Sequence, residues 1–133
     1  MIQSPELPAP LQALRASAFE CVNEAVMIAD AESNIIDVNP AFVRMTGYTL
    51  EEVAGRNPRI LASGKTPTET YELMYRSLAI EGHWQGEVWD RRKDGRTHPK
   101  WLSITAIYDA AGNITHYIGS FSDISSGKGR CII

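Results

Sequence analysis

Residues 96–108, RTHPKWLSITAIY, decide the fold, together with their flanks 84–92 (WQGEVWDRR) and 114–124 (ITHYIGSFSDI). In the middle stretch Leu102, Ile104 and Ala106 alternate with Trp101, Ser103 and Thr105. A period of two is that of a strand with one buried face, and it beats the helical 3.6 here. All three stretches are rich in Trp, Val, Ile, Thr and Tyr. Lys93-Asp94-Gly95 and Asp109-Ala110-Ala111-Gly112-Asn113 separate them, and both are hairpin signals. Three long strands therefore close the sequence.

Upstream the pattern changes. Residues 25–30 and 35–38 read as two short strands around a turn at Ala31–Asn34. Three short helices follow. Asn39 can cap the first, with Pro40 at its first position and Gly47 at its end. Thr49-Leu50-Glu51-Glu52 is a capping box, with Leu50 and Val53 facing inward and Gly55 as the stop. Thr66-Pro67-Thr68-Glu69 reads as a second capping box. Its helix carries Tyr71, Met74, Tyr75 and Leu78 on one face and ends before Gly82. The loop 56–64 between the last two has room for one helical turn. Further upstream, Leu11, Leu14, Ala18, Cys21 and Val22 form one helical stripe, and residues 1–10 hold three prolines. The organisation is a lead-in (1–10), a flanking helix (11–22), one domain (23–125) and a tail (126–133). Five strands with helices gathered in the middle predict an α+β domain with an antiparallel sheet. Such a sheet and its helices enclose a core that is either solid or holds a small molecule.

The bulk numbers agree with one such domain. The chain has 133 residues, 44% of them apolar and 22% charged. A net charge of -3 argues against nucleic acid as a partner. The basic run Arg91-Arg92-Lys93 is bracketed by Asp90 and Asp94 and reads as a solvated hairpin tip. The two cysteines, Cys21 and Cys131, form no CxxC pair, so neither a zinc site nor a disulfide scaffold is suggested. No apolar run is long enough for a membrane span, and the N-terminus lacks the form of a signal peptide. A cytoplasmic location is the expectation.

Motifs of catalysis are absent: the sequence has no GxGxxG, Walker loop, HExxH or GxSxG. His83, His98 and His116 lie 15 and 18 residues apart, without the short spacing of a metal site, and surface or edge roles are expected. A histidine serving as an axial haem ligand is a minor alternative. The scattered acids, Glu51, Glu52, Asp90, Asp94 and Asp109, sit at helix starts and turns, where structural roles explain them. Trp84, Trp89 and Trp101 fall on adjacent strands, so their rings could stack on a flat heterocycle or simply pack the sheet. Asn57 and Arg59 could hydrogen-bond a ligand's polar edge, or equally cap and brace their loop.

With this order of elements the sequence resembles the PAS domains, sensory modules of bacterial signalling proteins. The likeness runs along about 100 residues. It includes Asn34-Ile-Ile-Asp-Val-Asn-Pro-Ala-Phe42, Thr46-Gly-Tyr48, Glu51-Glu-Val-Ala-Gly-Arg56 and Asn57-Pro-Arg-Ile-Leu-Ala-Ser-Gly64. It continues through His83-Trp-Gln-Gly-Glu87, Arg91-Arg-Lys-Asp-Gly95, His116-Tyr-Ile-Gly119 and Phe121-Ser-Asp-Ile-Ser125. The subfamily is similar to PAS domains ahead of diguanylate cyclases, cyclic-di-GMP phosphodiesterases and histidine kinases, and to redox sensors that bind FAD.

The resemblance implies a PAS fold: a five-stranded antiparallel sheet, short helices on one face and an N-terminal flanking helix. It implies a sensor and not an enzyme, holding a small ligand between sheet and helices and relaying its state to an output domain. FAD is the leading cofactor, with haem or none as alternatives. The candidate ligand contacts are Asn57, Arg59, Trp84, Trp89, Trp101, Ile28, Phe42 and Ile104. No catalytic and no metal-binding residue is expected. The light-sensing LOV branch carries a cysteine after the asparagine of the Asn57 loop. Pro58 stands there, so no flavin–cysteinyl adduct can form at that position. Ala62 and Phe121 likewise replace flavin-contacting glutamines of that branch. A homodimer through helix 11–22 and the outer sheet face is expected, and a ligand-free dimerisation and relay module is the alternative function. The tail, with two glycines and no helical stripe, departs from the family's linker helix, which favours an excised fragment over a stand-alone domain.

Overall fold

The computed structural model describes residues 24–124. The lead-in, the helix expected at 11–22 and the tail lie outside the described residues. Strand β1 (Ala25–Asp30) and β2 (Ile35–Val38) come first. Helices α1 (Pro40–Thr46) and α2 (Leu50–Val53), a 3-10 turn (Pro58–Leu61) and α3 (Thr68–Glu81) follow. Strands β3 (His83–Arg91), β4 (Thr97–Tyr108) and β5 (Ile114–Asp123) close the domain. The sheet is antiparallel throughout, in the order β2-β1-β5-β4-β3. The first and last strands thus meet at its centre, and the hairpin β1–β2 is joined to the meander β3–β4–β5 by the β1–β5 ladder.

The register assigns the faces. Met27 lies opposite Gly119, Gly119 opposite Ile104, and Ile104 opposite Trp84. These residues share the inner face with Ala25, Val88, Leu102 and Phe121, which belong to the buried core. The helices supply Ala41 and Phe42 from α1, Val53 from α2, and Met74 and Leu78 from α3. The rings of Phe42 and Phe121 meet edge to face at 5.9 Å.

Local chemistry sets the helix ends. Asn39 Oδ1 accepts from the Phe42 N–H, Pro40 takes the first helical position, and Gly47 closes α1 at φ 83. Thr49 and Glu52 form the expected reciprocal capping box at α2. The box expected at Thr66 does not form. Helix α3 begins at Thr68 without a side-chain cap. The Thr66 hydroxyl accepts instead from the Trp89 N–H, so an edge-strand donor has taken it. Tyr75, read as part of the packed face of α3, is 60% exposed. The hairpin tip is docked and not free: Lys93 pairs with Glu52, and Arg92 donates to the Arg44 carbonyl.

Candidate functional site

A cavity of about 290 Å³ lies between the inner face of the sheet and α3. Met27 and Ala29 of β1, Tyr117 and Gly119 of β5, and Leu102 and Ile104 of β4 form its floor. Tyr71, Met74, Tyr75 and Leu78 of α3 form its roof, the i, i+3, i+4, i+7 stripe of one helix face. Asn57, Pro58 and Arg59, at the start of the 3-10 turn, close one end. Gly119 keeps the floor flat, because a Cβ there would reach to 3.1 Å from the Met27 methyl.

Polar groups are few. Asn57 Oδ1 accepts from the Arg59 N–H at 2.9 Å, so this side chain caps its turn as well as lining the cavity. Its amide N–H groups have no acceptor among the described residues. Arg59 is exposed at the mouth. Deeper in, Lys100 and Asp90 line the wall as an ion pair, with the Lys100 side chain only 3% exposed. The Lys100 ammonium also sits 3.8 Å from the centroid of the Phe121 ring, a cation–π contact. Burial pushes the Lys100 pKa down, and the Asp90 carboxylate opposes this. Apart from that ammonium, Asp90 Oδ2 has no hydrogen-bond partner.

Of the eight candidate contacts read from the sequence, Asn57, Arg59 and Ile104 line the cavity. The other five stand elsewhere. Phe42 is wholly buried against Phe121. Ile28 points to the outer face, one residue out of phase with Met27 and Ala29. Trp84 is on the inner face, but its indole lies over Gly86, where a Cβ would come within 2.5 Å of the ring. Trp89 and Trp101 face outward, their indole N–H groups donating to Glu87 and Gln85. Three of the eight, Ile28, Trp89 and Trp101, thus miss because adjacent strand residues point to opposite faces.

The structure adds Lys100 and Asp90, which sequence reading had assigned to no site. The signal was present: both are in phase with Leu102 and Val88, so alternation aims them inward. His98 shares that phase and is 7% exposed, which corrects the surface role expected of it. Its Nδ1 is 3.8 Å from Asp123 Oδ1, and it does not line the cavity. Among the described residues no group of three His, Cys, Asp or Glu side chains could hold a metal ion.

The PAS domain model matches residues 23–126. The chain belongs to the PAS domain family. This PAS domain is 39% identical over 106 residues to a nitrogen fixation regulatory protein of Klebsiella oxytoca, covering 80% of this chain and 21% of that protein. It is 28% identical over 101 residues to a blue-light-activated histidine kinase of Brucella canis, covering 76% of this chain and 21% of the kinase. The chain thus spans about a fifth of these relatives' length. Among solved structures, the PAS domain of a Colwellia psychrerythraea protein superposes with TM-score 0.73 at 25% identity, covering 87% of this chain and 98% of that one. A light-oxygen-voltage domain studied with a flavin analogue gives 0.75 at 28% identity, covering 89% and 86%. The chain is a sensory signalling domain, a module that is not itself catalytic. No helix among its described residues is long and apolar enough to cross a membrane.

Proposed function

We propose that this PAS domain senses by holding a flavin, with FAD the leading form, and relays its state to an output domain in cis within a cytoplasmic protein. The observation that carries this reading is the apolar cavity with sparse polar groups at its end and wall. Its volume is near the lower bound of about 300 Å³ typical of small-molecule sites. That suits a planar ring system and not a whole dinucleotide. Asn57 and Lys100 supply donors for carbonyl and ring-nitrogen acceptors, and Asp90 an acceptor for a ring N–H. The Arg59 guanidinium at the mouth suits a phosphate beyond the ring. Trp84, on the same sheet face, is a further candidate contact.

A bound flavin would supply reversible two-electron chemistry. The protein's part would be to bind and orient the ring, exclude water from it, and fix its electrostatic surroundings. Pro58 carries no thiol, so the signal would be redox state or occupancy and not a light-driven bond at that position. The test is colour. Purified protein should absorb in the flavin range, as isolated or after flavin is added. Colourless protein that takes up no flavin would overturn the reading.

A second reading is a dimerisation and relay module. It is favoured by the outer sheet face, where the apolar side chains of Trp101, Ile107 and Ile118 are partly exposed. A strictly monomeric chain at high concentration in sedimentation would exclude it.

A further inference from the structure

Two acids and two bases meet on the inner face of the sheet, where apolar residues are otherwise the rule. The register sets them out as a checkerboard. Asp90 of β3 lies directly opposite His98 of β4. Lys100 of β4 lies directly opposite Asp123 of β5. The contacts that form are the diagonal ones, Lys100 with Asp90 and His98 with Asp123. The second contact is unfinished. At 3.8 Å it is beyond hydrogen-bond reach, and the buried His98 Nδ1 has no hydrogen-bond partner.

Each base therefore has an acid on either side. The same four side chains have a second pairing, His98 with Asp90 and Lys100 with Asp123, which side-chain rotation can reach with no change of register. A buried polar set with an unmet member is held weakly, since the unmet group costs free energy in the present pairing. Only one diagonal touches the cavity: Lys100 and Asp90 line it, and His98 and Asp123 do not.

We propose that this set exchanges partners when the cavity is filled; the inference rests on the reading of the cavity as a ligand site. The ligand class is a planar heterocycle with a carbonyl edge. Such an edge accepts from the Lys100 ammonium as it turns from Asp90 to Asp123, the acid directly opposite it. Asp90 then takes the imidazole directly across the strand, and His98 leaves Asp123. The exchange needs no proton transfer, because an imidazole N–H donates to whichever carboxylate it faces. Asp123 has a further partner and is not left bare. Asp123 is the last residue of β5, so filling the cavity changes the contacts at the end of the sheet. The two pairings differ in what they offer the ligand, which an occupancy-driven shift requires.

The test uses the full 133-residue chain, labelled with nitrogen-15, and riboflavin as the probe. At one fixed pH, saturating riboflavin should move the ring-nitrogen signals of His98 and the amide signal of Asp123. Lys100→Met should move the His98 signals the same way without any ligand, because it frees Asp90. His98→Gln should leave riboflavin affinity within about threefold and abolish the response at Asp123. Asp90→Leu, which removes the acceptor, should leave His98 unresponsive to riboflavin. His98 signals unchanged by Lys100→Met, or an Asp123 response that survives His98→Gln, would overturn the exchange. Failure of riboflavin to bind would count against the flavin reading alone, and the ligand-free Lys100→Met spectrum would still decide the exchange. If that variant does not fold, an Asp90→Leu chain in which riboflavin still moves His98 decides against it.

Discussion

Lys100 is the residue at which position and chemistry disagree most. It occupies an inward place between His98 and Leu102, which an aliphatic side chain would fill at no electrostatic cost. Its ammonium persists there through Asp90 and the face of Phe121. Removing one charge of such a pair leaves the other buried and uncompensated. Asp90→Asn should therefore cost about 3–5 kcal/mol of stability in urea denaturation. The double variant Asp90→Leu/Lys100→Met should recover most of that loss or exceed the parent, because two desolvation penalties vanish together. A pH dependence follows as well. Burial lowers the Lys100 pKa, so the unfolded chain keeps this proton to higher pH than the folded one. In the window just below the ordinary lysine value, folding releases a proton, and stability should rise with pH there. Below that window the penalty is present in full. Lys100→Met should abolish this rise, as followed by denaturation midpoints across that range.

Among the elements, α1 and β1 are tied by one side chain. Asn39 Oδ1 accepts from the Phe42 N–H at 3.0 Å and from the Val26 N–H at 2.9 Å, while its Nδ2 donates to the Glu24 carbonyl. Asn39→Ala should cost about 2–3 kcal/mol, the loss of a cap plus a buried strand N–H left without a partner. A midpoint shift of only a few tenths of a kcal/mol would show that water replaces the side chain. Asn39, Pro40 and Gly47 were legible as punctuation, because caps are local. Thr66 was legible as a cap too, yet it does not act as one. The N–H it serves belongs to Trp89, 23 positions away, and no window around Thr66 contains that competitor.

The whole molecule has one feature that no element owns, the space between sheet and α3. Its depth depends on Gly119 at the centre of the floor. Gly119→Val puts a branched side chain against the Met27 methyl and into the cavity. We expect riboflavin affinity to fall by about tenfold or more, equal to about 1.4 kcal/mol, while far-ultraviolet dichroism is kept. Unchanged affinity would mean that the ligand binds elsewhere. In the parent chain, riboflavin at 100 times its Kd should add about 2.7 kcal/mol to unfolding stability. Calorimetry would check this.

How much of this was written in the chain divides along a physical line. The three long strands, the hairpin turns, the caps of α1 and α2 and the glycine stops were readable, because each depends on neighbours within a few positions. So was the sensor family, from motifs strung in order along the domain. The inward phase of Asp90, His98 and Lys100 was readable as well, since strand alternation is local. Their partners were not. Which acid meets which base depends on the registers β3–β4 and β4–β5, and these follow from packing across the sheet. The outward turn of Trp89 and Trp101 belongs with that local alternation, whereas the burial of Phe42 against Phe121 and the cavity beneath α3 are products of association between distant segments. The sequence by itself determined a sheet able to cover a ligand. Only the tertiary structure decided that a buried ion pair would stand in the wall of that cavity.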